Sequence, residues 1–144
     1  MRKRTQAREN ALKILYQAEI TRRKIPVAAQ FYWEEFENCD QTIKKFSDRI
    51  TSGTDEHVEK IDEKISKYAN NWQLKRMAVI DRNILRMGVY ELLFAPDIPP
   101  KVTINEAVEL AKKYGDSESS KFVNGILDKI HKEEIIPQDK SRKP

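Results

Sequence analysis

The chain has a single cysteine, Cys39, and only two histidines, His57 and His131, among its 144 residues. One thiol excludes an intramolecular disulfide and a cysteine-built metal cluster, and it suits a reducing cytoplasm. No phosphate-cradling glycine loop or zinc-ligand spacing occurs, the histidines are far apart, and no catalytic motif surrounds Cys39. Neither a metal, a cofactor nor enzymatic activity is therefore expected, and both histidines are expected on exposed helix positions. No apolar run approaches the ~20 residues that span a bilayer, and the basic start Arg2, Lys3, Arg4 leads into a charged amphipathic segment instead of an apolar signal core. A soluble, cytoplasmic protein without a membrane partner is expected. Glycine and proline are also scarce, at 4 and 6 residues, against 35% charged and 39% hydrophobic residues, a balance that suits a helical globular domain. The formal charge of +4 excludes a histone-like polycation, so an anionic partner must meet a local patch.

What is present is helical periodicity. Residues 5–22 place Ala7, Ala11, Ile14, Leu15 and Ala18 on one face. Pro26 suits the first turn of a second helix carrying Phe31, Tyr32, Trp33 and Phe36. Asp40 can cap a third, with Ile43, Phe46 and Ile50 inward; Gly53 is expected to break it and Thr54 to cap the next. Val58, Ile61, Ile65, Tyr68 and Ala69 form the next stripe, and Asn70 and Asn71 mark a joint. Residues 73–94 are apolar around most of the helix circumference, which predicts a buried helix. Residues 96–102, with Pro99 and Pro100, read as a stiff loop. The expected fold is all-α: about seven helices in two perpendicular subdomains, about 1–71 and 72–136, sharing the buried central helix, with residues 137–144 as a frayed basic tail.

Residues 102–130, VTINEAVELAKKYGDSESSKFVNGILDKI, read as two further helices. Thr103 followed by Glu106 has the pattern of a capping box, Gly115 sits where a helix ending near Tyr114 takes a left-handed residue, and Ser117 starts the second helix. Val123, Ile126, Leu127 and Ile130 form its apolar stripe, Phe122 lies at the margin, and Lys121, Asn124, Gly125 and Asp128 lie opposite. A mid-helix glycine costs roughly 1 kcal/mol against alanine, which something must compensate.

The segments INEAVELAKKYG and KFVNGILD resemble the NusB family of bacterial transcription antitermination factors. RTQARENALKILYQAE is similar to that family's basic first helix, and WQLKRMAVIDRNILRMGVYEL followed by DIPPKV to its central helix and exit loop, so the likeness runs from about residue 4 to 130. It implies a small helical protein that binds single-stranded boxA RNA of ribosomal RNA transcripts, together with the ribosomal protein called NusE in that role, within the transcription elongation complex.

Individual residues admit a functional and a plainer reading. Arg2, Lys3, Arg4 and Arg8, continuing to Lys13, oppose the dipole at a helix start, which a bound polyanion would explain; a solvated arm is the alternative. Tyr16 and Phe122, off the centres of their stripes beside Lys13 and Lys121, offer rings for stacking on unpaired bases, or else pack under a neighbouring loop. Tyr68, on a clean stripe, is expected in the core with its hydroxyl reaching the surface. The start of the last helix offers amides, the hydroxyls of Ser119 and Ser120, and Lys121 to a phosphate, unless Asp116 or Glu118 caps it. The resemblance favours RNA contact at Arg2, Lys3, Arg4, Arg8, Tyr16, Ser119, Lys121, Phe122 and Asn124. Asp81 and Glu91 fall on the apolar side of the central helix and need partners, such as Arg76, Arg82 or Arg86. The resemblance matches Asp81 to the acidic position that engages the ribosomal protein, at a place expected to lie away from the RNA-binding rings.

Two other functions compete. Some ribosomal RNA methyltransferases carry a NusB-like domain, but that arrangement needs a downstream catalytic domain, which these 144 residues do not provide. A pure protein adaptor would bind its partner without preference among RNAs. A homodimer is also open, since exposed apolar residues serve self-association as readily as a partner.

Overall fold

A computed structural model describes residues 2–70 and 73–137. Among them are seven α-helices and no strand: α1 Lys3–Thr21, α2 Ile25–Glu34, α3 Gln41–Glu56, α4 Val58–Tyr68, α5 Val79–Phe94, α6 Pro100–Tyr114 and α7 Ser119–Ile130. No helix among the described residues is long and apolar enough to cross a membrane. The chain divides into two compact units, Met1–His57 and Val58–Pro144. The boundary falls ahead of the joint expected at Asn70 and Asn71, because α4 packs its buried Ile61 and Ile65 against α5 and α7. Asn71 and tail residues 138–144 lie outside the described residues.

In the first unit, α1 packs on α2 and α3. Ile14 and Ala18 meet Ala28, Tyr32 and Trp33 in one apolar cluster, with Cys39 at its edge. The polar ends of the aromatic pair are satisfied: the Tyr32 hydroxyl donates to Asn10 and Trp33 Nε1 donates to Asp48 Oδ1 at 3.1 Å. Phe31 and Phe36, expected with this pair, are exposed. Asp40 caps α3 as expected, its Oδ1 accepting from the amides of Thr42 at 2.8 Å and Ile43 at 3.3 Å. Gly53 does not break the helix. It and Thr54 are buried within α3, which continues to Glu56 because the missing side chain lies on the packed face.

In the second unit, α5 packs against α4, α6 and α7. Ile84, Leu85 and Val89 are fully buried. A Cβ on Gly88 would lie 2.8 Å from Leu127 Cδ1, so this glycine permits the close approach of α5 and α7. The helix expected over 73–94 is divided into a 3-10 turn at Leu74–Arg76, extended backbone at Met77 and Ala78, and α5. Arg82 enforces the division by donating to the carbonyls of Leu74 at 3.0 Å and Met77 at 3.1 Å. Arg86 makes a two-pronged ion pair with Asp62 at 2.8 and 3.0 Å, tying α5 to α4.

The stiff loop ends earlier than expected, since Pro100 already opens α6, where its fixed φ suits the first helical residue. Thr103 is consequently inside the helix instead of capping it, and its buried hydroxyl donates to the buried Glu91 carboxylate at 2.7 Å. The Thr103 hydroxyl is thus one partner of the buried Glu91 carboxylate. Gly115 is extended (φ −93°, ψ −169°), not left-handed; a Cβ there would collide with the Ser119 side chain and approach the Ala111 carbonyl oxygen to 2.8 Å.

After α7 a π turn, His131–Ile135, returns to α4 through Glu134. Its carboxylate takes Lys64 Nζ at 2.8 Å, Lys67 Nζ at 3.4 Å and the hydroxyl of half-buried Tyr68. The ammonium of Lys64 foremost, then the Tyr68 hydroxyl, hold the Glu134 carboxyl down at about 2 from its ordinary 4.5. A depressed folded-state pKa contributes stability that is complete above the ordinary value and lost as pH falls toward 2. Glu134→Gln should therefore cost about 1–2 kcal/mol at pH 7, allowing for solvent screening. Urea unfolding of wild type and variant should converge near pH 2; an equal gap at both pH values would show that the contact, not the charge, matters.

Candidate nucleic-acid interface

In the first unit, α3 shapes the basic start of α1. Lys3 Nζ pairs with Asp40 Oδ2 at 2.9 Å, an exposed contact whose ammonium is the foremost cause lowering the Asp40 pKa. The Arg4 and Arg8 guanidiniums lie over the Phe46 ring, at 4.4 and 5.2 Å from its centroid. Arg2, Lys3 and Arg4 are exposed, but Arg8 is buried. The expectation of Arg8 as a phosphate contact is corrected: its side chain is buried and its guanidinium lies over the Phe46 ring. Phe46, read only as a core residue, is the platform that orders two of the four cations. No local signal joins it to Arg4 and Arg8, because they meet across two helices.

Tyr16 is 38% exposed, with exposed Lys13 one turn before it and exposed Ile20 one turn after. The ring therefore stands on the outer side of α1 and offers a face to solvent, as its place off the apolar stripe predicts.

In the second unit, the turn into α7 is organised by Asp116. Its Oδ1 accepts from the Glu118 amide at 2.9 Å and from the Ser119 hydroxyl at 3.2 Å, while Ser119 Oγ accepts from the Asp116 amide at 3.0 Å. Ser119 is 2% exposed. Its hydroxyl is spent on Asp116, so its expected contact with RNA is corrected, and Asp116 orders the turn that leads into α7. Lys121 and Asn124 are exposed on α7, and Phe122 is half-buried.

Phe122 and Asp81 line one cleft of about 290 Å³, together with Met77, Ala78, Asp116, Glu118 and Ser119. This overturns the expectation that Asp81 lies away from the Phe122 ring: the extended pair Met77 and Ala78 opens the start of α5 toward the start of α7. Asp81 is buried in the first turn of α5, where the helix dipole favours a carboxylate. Arg82 and Arg86 are turned to backbone carbonyls and to Asp62, and Asp81 Oδ1 accepts no hydrogen bond among the described residues. A buried carboxylate oxygen without a hydrogen bond is costly, and Asp116 and Glu118 line the same cleft, which is therefore acidic. Met77, Ala78, Asp116 and Glu118 were missed as cleft residues because the cleft is assembled from segments distant in sequence.

Known proteins carry the same architecture. Residues 5–132 match the model of the NusB family. The chain is 44% identical over 150 residues to the transcription antitermination protein NusB of Thermodesulfovibrio yellowstonii, covering 98% of this chain and 99% of that protein. It is 46% identical over 126 residues to the protein so described from Myxococcus xanthus, covering 85% and 90%. Among solved structures, T. maritima NusB matches with a TM-score of 0.84 at 42% identity, over 96% of each chain. A chain in the crystal structure of the antitermination factors NusB and NusE in complex with double-stranded RNA matches with a TM-score of 0.83 at 31% identity, over 92% of this chain and 98% of that one.

Proposed function

The chain belongs to the NusB family, and from that premise we propose that it is a non-catalytic transcription antitermination factor that holds boxA RNA of ribosomal RNA transcripts jointly with the ribosomal protein NusE. The observation that carries this reading is the cleft of the second unit, where an aromatic ring, Phe122, follows exposed Lys121 and shares its cavity with Asp81, whose buried Oδ1 accepts no hydrogen bond among the described residues. Ring and ammonium suit an unpaired base and its phosphate. The carboxylates suit a lysine or arginine of a protein. Arg2, Lys3 and Arg4 supply phosphate contacts from the first unit, Tyr16 a second stacking surface, and Asn124 a polar side chain able to pair with a base edge. The assembly acts inside the transcription elongation complex, in the cytoplasm.

The basic patch is tested by salt. Replacing Arg2 and Arg4 together by alanine should free up to two phosphates of single-stranded RNA, reducing the slope of log affinity against log salt by roughly 0.7 for each phosphate freed. Association with NusE should survive. Fluorescence titrations of RNA between low and moderate salt check this, and an unchanged slope would take the arm out of the interface.

A further inference from the structure

We propose that Gly125 is a clearance position, whose missing side chain lets the ribose or base face of bound RNA lie directly on the backbone of α7. Glycine in a helix interior is less favourable than any residue except proline, so its presence in the middle of Ser119–Ile130 needs a cause. The fold supplies none. Gly88 and Gly115 are required by neighbours that a Cβ would strike, but a Cβ on Gly125 would meet nothing within 4 Å among the described residues. Backbone conformation does not require it either, since no glycine has a positive φ among the described residues. The position is exposed, so the space a side chain would occupy is open to a ligand.

The neighbours indicate which ligand. Lys121 lies one turn before Gly125, Phe122 three residues before, and exposed Asn124 beside it, so the bare patch continues the ring and ammonium already assigned to RNA. Asp128, three residues after, is engaged by Lys132 at 2.9 Å, which offsets a charge that would otherwise repel phosphate. The helix amides here are spent in intrahelical bonds, so the patch is a nonpolar shelf for a ribose or base face, while Lys121 takes the phosphate. This rests on the RNA-binding function proposed above and adds the path of the strand along α7.

Gly125→Ala and Gly125→Leu, in the full chain, distinguish this cause from any structural one. Both should fold, with the melting temperature of the alanine variant raised by about 3–5 °C. Affinity for boxA RNA should fall several-fold for alanine and by about tenfold or more for leucine, whose bulk the strand must avoid. Stability and binding thus move in opposite directions. If wild type binds boxA RNA and both variants bind it equally well, Gly125 has no clearance role, although the RNA-binding function stands. Loss of NusE association with RNA affinity unchanged would assign the shelf to protein and overturn the proposal. If wild type binds no RNA, both readings fall together.

Discussion

Asp81→Asn should leave the chain as stable as wild type, or more so, while weakening its association with NusE by about 2–3 kcal/mol. The two effects part because Asp81 Oδ1 is buried and accepts no hydrogen bond among the described residues, so neutralising it relieves desolvation in the free protein. The same carboxylate is the group a cationic side chain of the partner would pair with. Urea unfolding and calorimetric titration with NusE, on the same preparation, measure both quantities. Destabilisation with unchanged association would mean that Asp81 serves the fold and that the cleft is not where the partner binds. Asp81→Lys is a harsher change. Because Phe122 lines the same cleft, reversing the charge should disturb RNA binding as well as partner binding, which a remote Asp81 would not do.

Truncating the rings should give the second large effect. Tyr16→Ala and Phe122→Ala are each expected to weaken RNA binding by about 1–3 kcal/mol, the range for removal of one base stack. Tyr16 is 38% exposed, so its loss should cost the fold little. Phe122 is half-buried against the cleft, and its loss should cost less than the roughly 3–5 kcal/mol of a fully buried aromatic. Binding and unfolding free energies are compared for each variant. If Phe122→Ala unfolds by the larger amount while the folded fraction binds RNA normally, the ring is core.

What was legible in the sequence was local. The Asp40 cap depends on amides two and three residues away, and the α1 and α7 stripes on a helical repeat, so both could be read without tertiary knowledge. Gly53 and Thr103 misled because a breaker or a cap is only a propensity. Burial on the packed face carries α3 through Gly53, and Pro100 starts α6 early enough to place Thr103 inside it. The site was legible residue by residue and illegible as an arrangement. Tyr16 and Lys121 are exposed as their helical positions require, but the burial of Arg8 depends on Phe46 in another helix, and that of Ser119 on its bonds to Asp116. The meeting of Asp81 with Phe122 depends on the extended backbone at Met77 and Ala78, which interrupts what hydrophobic patterning alone presents as one continuous helix.

The most direct measurement is a titration of this protein with boxA RNA and with a scrambled single strand of equal length and charge, each with and without NusE, at fixed salt. BoxA should bind more tightly than the scrambled strand, with the difference enlarged when NusE is present. Equal affinity for the two strands in the presence of NusE would contradict it, leaving a protein adaptor whose basic patch attracts any polyanion.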